Sequence, residues 1–380
     1  MKKELVSILS DLIALPSPYP PGTSVEICAY AAKRLRKAGY KVEIATKTKG
    51  VDNVVARLMG KAKGPVIAFN AHVDTVGVGE RTNWKSDPYK ALVTGGLVYG
   101  LGAGNCKGSM AVQLWLAEEI ARRGGPKKGE LIFTFVADEE NLGPDGMEFL
   151  RKSGRVRPDA LILGAQTENN LIVAERGVMW ARITAKGRAA HAGNPSAGGN
   201  AILRMMRLVG ALQSYYDKAL ARRASGAMQS TVNIGMFHGG HNTNVVPSAC
   251  TVEIDRRLLP DEKVKDAFTE LKRVIDGVGE PKSMYSVAFL TGTNGFFAPE
   301  NGRTVAAFEA VVKRQTGRKV KFLNATGVSD GRYYADDKIE IINFGPGSGA
   351  QGHAANESVP IAEMIEAVNI QLDVVQQLLG

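Results

Sequence analysis

The fold is decided by the stretch Val66-Ile67-Ala68-Phe69-Asn70-Ala71-His72-Val73-Asp74-Thr75. Its first residues are apolar or small, which predicts a short buried strand that ends close to His72. A histidine and a carboxylate two residues apart at a strand end suit a metal site, because the imidazole can bind the ion while Asp74 orients it. The same pair also fits a hydrogen-bonded histidine in a turn, so its significance depends on the polar clusters that follow other strands.

Length and composition bound the class of protein. At 380 residues the chain exceeds a usual single core, which predicts two domains. Hydrophobic residues make up 44% and charged residues 23% of the chain, as in an ordinary globular protein. No apolar run is long enough to span a bilayer. Three scattered cysteines favour a reducing compartment, so we expect a cytoplasmic protein with no membrane partner.

The charge is basic but evenly distributed. Lysine and arginine number 48 against 38 acidic residues, which leaves a net charge of +10. The basic residues form no run interleaved with aromatics, so we expect no nucleic-acid partner. A general attraction for small anionic substrates explains the excess equally well. A solvated basic surface is the simplest interpretation.

Apolar strands and polar clusters alternate along the first half of the chain. Leu131 to Val136 predicts a strand followed by Asp138-Glu139-Glu140, and Ala160 to Gly164 predicts another followed by Ala165. Two adjacent glutamates usually lie on a solvated surface, but after a core strand they can divide metal binding from general base catalysis. Leu97 to Gly108 predicts a glycine-rich turn that opens a helix, without the spacing of either nucleotide fingerprint.

The pattern changes at Gly177. Residues 177–290 follow the order β-α-β-β-α-β, which is typical of a ferredoxin-like unit, and the first helix of this unit is predicted from Asn200 to Arg222. The outer pattern resumes afterwards. The sequence therefore predicts an α/β fold. A catalytic domain, residues 1–176 and 291–380, has a mixed sheet flanked by helices, and an α+β domain, residues 177–290, is inserted into it.

Several ordered motifs together resemble a known family. The matching pieces are His72-Val73-Asp74, Gly100 to Gly108, Ala137 to Glu140, Gly187 to His191, Asn244 to Pro247, Asp255 to Arg257, Ser329 to Arg332, and Gly352-His353 with Asn356-Glu357. They resemble the dinuclear metal amidohydrolases that include acetylornithine deacetylase, succinyl-diaminopimelate desuccinylase, aminoacylases and glutamate carboxypeptidases. The resemblance implies hydrolysis of carbon–nitrogen bonds in small acylated amino acids or related carboxylates. It also implies that the inserted domain is a lid that pairs two subunits into a homodimer.

The resemblance implies a role for each residue of the central site. His72 would bind the first metal and Asp74 would orient His72. Glu140 and His353 would bind the second metal. Glu139 would be the general base that takes a proton from the attacking water.

Further roles are implied around this centre. His191 would arrive from the lid of a partner subunit to stabilise the oxyanion. Asn244, Arg257 and Arg332 would bind the carboxylate or acyl group of the substrate, a task that suits the guanidinium fork. His191 also fits a capped surface histidine, and the two arginines equally fit structural ion pairs.

Two positions depart from the family. Asn105 stands where the family has an aspartate that bridges two metals, and Ala165 stands where the family has a glutamate or aspartate ligand. An asparagine offers one neutral carbonyl oxygen and cannot bridge equivalently. The first site is reduced to His72 with an Asn105 oxygen, and the second keeps Glu140 and His353, to which the Asn105 oxygen could belong instead. The family implies two divalent ions of zinc, manganese or cobalt, whereas this sequence predicts one or none.

Three hypotheses follow from these departures. The chain is a metal-dependent amidohydrolase whose sequence carries inactivating substitutions, or a natural one-metal hydrolase of amide or amine bonds with an unusual substrate, or a catalytically dead protein that binds small anions. The first is favoured by the presence of an otherwise complete set, Asp74, Glu139, Glu140, His191 and His353. We interpret the chain as a hydrolase.

Overall fold

The computed structural model describes residues 1–20, 22–226, 228–299, 302–325 and 327–380. Its helices are α1 (Lys2–Ile13), α2 (Val25–Lys37), α3 (Lys107–Arg122), α4 (Met147–Lys152), α5 (Ala201–Lys218), α6 (Val264–Asp276), α7 (Arg303–Thr316) and α8 (Ile361–Leu379). Its strands are β1 (Lys41–Thr46), β2 (Asp52–Met59), β3 (Ala62–His72), β4 (Leu92–Thr94), β5 (Leu97–Tyr99), β6 (Lys128–Val136), β7 (Ala160–Leu163), β8 (Leu171–Ile172), β9 (Ala174–Glu175), β10 (Gly177–Lys186), β11 (Ala224–Ser225), β12 (Met228–Gln229), β13 (Thr231–Gly239), β14 (Ala249–Leu258), β15 (Tyr285–Thr293), β16 (Phe296–Phe297), β17 (Phe322–Leu323), β18 (Glu340–Asn343) and β19 (Ser358–Pro360).

The chain divides into two units. Unit 1 comprises Met1–Val173, Ala298–Leu323 and Ser329–Gly380. Unit 2 comprises Ala174–Phe297 with Asn324–Val328. Unit 1 is therefore assembled from separate stretches of sequence, and unit 2 interrupts them.

Unit 1 is built on an eight-stranded sheet in the order β1-β2-β6-β3-β7-β18-β8-β17. Strands β6, β3, β7 and β18 are parallel to one another, whereas the pairs β1–β2, β2–β6 and β18–β8 are antiparallel. His72 lies opposite Val136, and Asn343 lies opposite Leu163. The carboxyl ends of the four central strands therefore meet at one edge of the sheet, which is where α/β folds place their ligand sites.

Helices cover this sheet because their apolar residues recur at helical spacing. In α1 the buried residues Leu5, Ile8, Leu9 and Leu12 form one stripe. Helices α3 and α8 are buried along most of their length and join the same core as β3 and β6. The central strands are almost continuously apolar, as expected for parallel strands covered by helices. The predicted mixed sheet flanked by helices is confirmed.

Unit 2 is an α+β unit made of one main sheet and two main helices. Its four-stranded sheet has the order β13-β14-β10-β15, and all neighbours are antiparallel. Helices α5 and α6 pack on the sheet around a core that includes Met179, Leu208 and Leu271. This is the strand order of the predicted ferredoxin-like unit.

Two details of the predicted elements were wrong. The helix predicted from Asn200 to Arg222 ends at Lys218, and Leu220–Arg222 forms a separate 3-10 turn. That turn buries Leu220 and directs Arg223 towards Glu262. The glycine-rich stretch from Leu97 begins with strand β5, which pairs with β4 and β19, and α3 starts at Lys107.

Among the described residues, no helix combines the length and the apolar character that crossing a membrane requires.

Candidate metal centre

The candidate site lies at the carboxyl edge of the central strands of unit 1. His72 is the last residue of β3, and Glu139 and Glu140 follow the end of β6. Asn105 lies two residues before the start of α3, and His353 lies in the loop that precedes β19. Sheet order thus brings together side chains that are far apart in the sequence.

His72 is buried and oriented by Asp74. Its Nδ1 atom lies 2.9 Å from the backbone oxygen of Asp74 and 3.5 Å from Oδ1 of the same residue. The second carboxylate oxygen of Asp74 accepts the backbone N–H of Glu140 at 3.0 Å. Asp74 therefore turns Nε2 of His72 towards the centre and ties the loop after β6 to the end of β3.

Asn105 lies at the middle of the site. Its Oδ1 is 3.2 Å from Nε2 of His72, and its Nδ2 donates to Oε1 of Glu140 at 2.7 Å. The same Nδ2 lies 3.3 Å from Nε2 of His353. One amide group therefore contacts three side chains that were predicted to bind metal.

Glu140 and His353 form a pair. Nε2 of His353 lies 3.0 Å from Oε1 and 2.9 Å from Oε2 of Glu140. The hydrogen bond that Nε2 of His353 donates to the Glu140 carboxylate raises the pKa of the His353 imidazole above its usual value. The structure thus brings the two predicted ligands of the second metal into direct contact.

Glu139 is held by Arg332. Nη1 of Arg332 donates to Oε1 of Glu139 at 3.0 Å, and its Nη2 donates to the hydroxyl oxygen of Tyr333 at 3.1 Å. Asp330 lies 3.8 Å from the same guanidinium. Burial opposes the charged form of Arg332, but the charges of Glu139 and Asp330 outweigh it and raise the pKa of the guanidinium.

A buried polar chain continues behind this ion pair. Nδ2 of Asn70 donates to Asp330 at 2.9 Å, and Oγ1 of Thr134 donates to Oδ1 of Asn70 at 2.8 Å. Burial raises the pKa of Asp330 to about 7, although the charge of Arg332 opposes that rise. Strands β3 and β6 thereby fix the position of Arg332, and through it the position of Glu139.

Sequence reasoning gave no function to Glu357, which supports the glycine-rich turn. Its carboxylate accepts the backbone N–H groups of Gly102, Gly104 and Asn105, the last two at 3.2 Å. Consecutive backbone N–H groups in a glycine-rich turn need an acceptor, and the acid that follows His353 in the Asn356-Glu357 motif was the sequence signal for it. Glu357 therefore positions Asn105 in the centre.

Ala165 follows the carboxyl end of β7, at the same edge as the other residues. The side chain of the next residue, Gln166, packs on Gly104. A Cβ atom added to Gly104 would lie 2.3 Å from Nε2 of Gln166. The nearest acid after Ala165 in the sequence, Glu168, has an exposed side chain.

Cys106, next to Asn105, is a packing residue. It is buried, and its Sγ donates to the backbone oxygen of Gly164 at 3.4 Å.

The remaining predicted residues, His191, Asn244 and Arg257, lie in unit 2. His191 is exposed and forms a β-bridge with Val245, and the N–H of Ala192 donates to the backbone oxygen of Asn244 at 2.9 Å. His191 and Asn244 therefore lie on one surface. Arg257 forms a two-point ion pair with Asp255 at 2.8 and 3.0 Å, which is the structural alternative considered for it.

The donors in unit 1 fit a divalent cation. His72, Glu139 and Glu140 each offer one ligand atom, and these atoms lie within 4.8 Å of one another. An imidazole with two carboxylates is a set that zinc, manganese and cobalt accept. The buried Oδ1 of Asp74 has no hydrogen-bond partner among the described residues, and it faces His72 from behind. That arrangement matches the carboxylate–histidine–metal geometry of many metal sites.

The chain is similar in sequence to known proteins. The sequence model described as peptidase family M20/M25/M40 matches residues 68–377. The succinyl-diaminopimelate desuccinylase of Xanthobacter autotrophicus is 29% identical over 376 residues, which cover 96% of this chain and 96% of that protein. The N-formyl-4-amino-5-aminomethyl-2-methylpyrimidine deformylase of Halalkalibacterium halodurans is 25% identical over 395 residues, which cover 96% of this chain and 92% of that protein.

A solved structure shares the fold. A dinuclear metal-binding peptidase of the M20 family from Bacillus subtilis superposes with a TM-score of 0.76 at 17% identity, and the match covers 100% of this chain and 98% of that one. At this identity the likeness establishes the fold alone.

Proposed function

The chain belongs to peptidase family M20/M25/M40, and from this premise we propose that it hydrolyses carbon–nitrogen bonds of small acylated amino acids or related carboxylates. The broader class, a metal-dependent amidohydrolase or carboxypeptidase-like hydrolase, follows from the family and its desuccinylase relatives. The resemblance inferred from the motifs is confirmed.

One observation carries the proposal. His72, oriented by Asp74, meets Glu139 and Glu140 where the parallel strands β3 and β6 end. A nitrogen donor, a carboxylate donor and a second carboxylate that can act as a base are the groups that hydrolysis of an amide requires. The geometry supports a hydrolytic centre better than a binding site alone.

The residues of the centre divide the work of hydrolysis. A divalent cation held at this centre by His72 and Glu140 would polarise the scissile carbonyl and favour ionisation of the attacking water. Glu139 receives the proton of that water and passes it to the leaving nitrogen.

The contact with Arg332 leaves Glu139 able to act. The guanidinium holds one carboxylate oxygen of Glu139, so the other oxygen is free to take the proton. Since Thr134, Asn70 and Asp330 fix the guanidinium in turn, the base is held in one orientation.

Substrate recognition is assigned to groups that carry positive charge or hydrogen-bond donors. His191, from the lid of a partner subunit, would stabilise the oxyanion, and Asn244 would bind the acyl group. Arg257 would exchange its present partner, Asp255, for a carboxylate of the substrate, whereas Arg332 would keep Glu139 and act on the substrate through that base. This proposal includes a homodimer formed through unit 2 and a cytoplasmic location.

The substrate class follows from chemistry shared by the relatives. A desuccinylase and a deformylase each remove a small acyl group from an amine, as their names state. The basic net charge of +10 favours substrates that carry a carboxylate. We therefore assign small N-acyl amines with a free carboxylate to this chain, with the pocket residues selecting the acyl group.

Release of free amine from a panel of substrates tests the proposal. The panel contains N-succinyl, N-acetyl and N-formyl amino acids and dipeptides, each assayed with Mn²⁺, Co²⁺ or Zn²⁺. We expect turnover of at least one class, reduced about 100- to 10,000-fold in Glu139→Gln. No turnover by the unmodified chain on any member of the panel would contradict the proposal.

Asn105 and Ala165 favour a second candidate, a catalytically inactive protein that binds small anions. Each removes a carboxylate that the family uses to hold metal. Saturable binding of an N-acyl amino acid without turnover, equal in the unmodified chain and in Glu139→Gln, would support this candidate.

A further inference from the structure

The orientation of the Asn105 amide is fixed by Glu140. Nδ2 of Asn105 lies 2.7 Å from Oε1 of Glu140, a carboxylate oxygen that only accepts hydrogen bonds. The opposite orientation would place the amide oxygen against that carboxylate oxygen at hydrogen-bond distance, so two acceptors would repel. Oδ1 of Asn105 therefore faces His72.

His72 and Asn105 present two potential ligand atoms side by side. Nδ1 of His72 lies 2.9 Å from the backbone oxygen of Asp74, an acceptor, so Nδ1 carries a hydrogen and Nε2 is the ring atom that can bind a cation. Nε2 lies 3.2 Å from Oδ1 of Asn105, which is the amide atom that can bind a cation. Carboxylates of Glu139 and Glu140 lie within 4.8 Å of the His72 donor, as a metal ion requires.

On the side of Asn105 that faces away from His72, the side chains of Asn105, Glu140 and His353 already contact one another. Nδ2 of Asn105 donates to Glu140 and lies 3.3 Å from Nε2 of His353. An amide N–H₂ group carries positive partial charge towards these two side chains and cannot bind a cation. The methyl side chain of Ala165 provides no donor at the adjacent strand end.

The charges lead to the same conclusion. Relative to the family, Asn105 and Ala165 each remove one negative charge from the centre. Together they remove the charge that balances one divalent ion, and an unbalanced second dication in a partly buried site is costly.

We infer that this chain holds one divalent cation, bound by His72, Asn105 and Glu140, and that the hydrogen bonds that Glu140 makes with Asn105 and His353 take the place of a second ion. The inference rests on the proposed function and deepens it, because it specifies the number of ions and excludes His353 as a ligand. Glu139 borders the bound ion and remains held by Arg332.

Cation binding, measured without substrate, tests the inference. The full chain is stripped with a chelator and titrated with Mn²⁺ by calorimetry, and bound metal is counted by elemental analysis after dialysis. We expect one equivalent of Mn²⁺ per chain. Two equivalents, or no binding, would overturn the inference.

Matched histidine variants locate the ion. His72→Ala is expected to weaken Mn²⁺ binding at least 100-fold, whereas His353→Ala keeps one equivalent with affinity within a few fold. Loss of binding in His353→Ala with retention in His72→Ala would overturn the assignment. Circular dichroism and thermal unfolding confirm that each variant is folded, and His72→Gln replaces His72→Ala if the latter is not.

Restoring the missing carboxylates completes the test. Asn105→Asp combined with Ala165→Glu is expected to raise the stoichiometry to two, and each single variant to remain at one. A double variant that still binds one equivalent would overturn the argument from charge. These readouts are separate from hydrolysis, so an inactive chain that binds one ion contradicts only the proposed function, and an active chain that binds two contradicts only this inference.

Discussion

At the scale of single residues, Arg332 and Arg257 can be compared directly, because each forms an ion pair with one carboxylate. Both are arginines that contact a carboxylate, Glu139 at 3.0 Å and Asp255 at 2.8 Å. Arg332 is 3% exposed, whereas Arg257 remains partly exposed on the sheet of unit 2. Removing a buried partner leaves an uncompensated charge, while water solvates the charge that an exposed pair leaves behind.

We expect Arg332→Ala to lower the free energy of unfolding by about 3–5 kcal/mol, because Glu139 and Asp330 lose their buried cation. Arg257→Ala is expected to cost about 0–1 kcal/mol. Urea denaturation followed by circular dichroism measures both. Equal losses in the two variants would show that the buried network behind Glu139 does not hold the base.

Part of the centre could be predicted from sequence, because each residue follows an apolar strand or lies in a motif. His72, Glu139 and Glu140 meet because parallel neighbouring strands end at one edge. The contact between Asn70 and Asp330 could not be predicted, since it depends on which strands become neighbours. The contacts of Asn105 could not be predicted either, because they depend on how the fold arranges His72, Glu140 and His353 around the amide.

At the scale of elements, helix α5 begins at a side-chain cap. Oδ1 of Asn200 accepts the N–H groups of Ile202 and Leu203 at 2.9 and 3.1 Å. We expect Asn200→Ala to destabilise unit 2 by about 0.5–2 kcal/mol, and Asn200→Asp to retain most of the cap. Thermal unfolding of the three proteins measures the difference. An alanine variant as stable as the unmodified chain would show that the cap contributes nothing.

Helix α6 carries a carboxylate that links stability to pH. Burial would raise the pKa of Glu270, but hydrogen bonds from Arg223 and Tyr215 and the charge of Arg256 lower it to about 2. Because the pKa is depressed in the folded state, this stabilisation is complete above the unfolded value of about 4.5 and is lost as the pH falls towards 2.

We expect the stability difference between the unmodified chain and Glu270→Gln to be about 2–3 kcal/mol at pH 7 and to shrink as the pH falls from 5 to 2. Urea unfolding at several pH values measures this difference. Glu253→Gln is the matched control, because its partner Arg182 is exposed. A difference that stays constant across this range would contradict the depressed pKa.

Apolar spacing predicts the core elements, but the ends of elements depend on tertiary contacts that the spacing does not show. The apolar spacing from Ile361 to Leu379 predicts a helix, and α8 is observed over that stretch. The last predicted turn of α5 is instead a 3-10 turn, because burial of Leu220 overrides helical propensity. Strand β5 is too short to show periodicity, and its pairing with β19 depends on a segment distant in sequence.

At the scale of the whole molecule, exposed apolar residues of unit 2 indicate where the interface of the proposed homodimer would lie. Leu203 and Met206 lie one turn apart on α5 and are 54% and 58% exposed, and Phe237 on the edge strand β13 is 45% exposed. An exposed edge strand with apolar neighbours favours pairing with another chain. We expect Met206→Glu to shift the mass measured by sedimentation from two chains towards one.

Trp180→Glu is the control for that prediction, since Trp180 is also exposed but lies on the central strand β10, away from the edge strand. It is expected to leave the mass unchanged. A single-chain mass for the unmodified protein would contradict the proposed homodimer.

The most direct test of the account is the initial rate of hydrolysis as Mn²⁺ is added in equivalents to the chelator-stripped chain. The substrate is an N-acyl amino acid that the panel has identified. We predict no rate without cation, and a rate that rises with added Mn²⁺ and levels off at one equivalent per chain. A rate that requires a second equivalent, or one that is independent of cation, would contradict a hydrolytic centre that works with one ion.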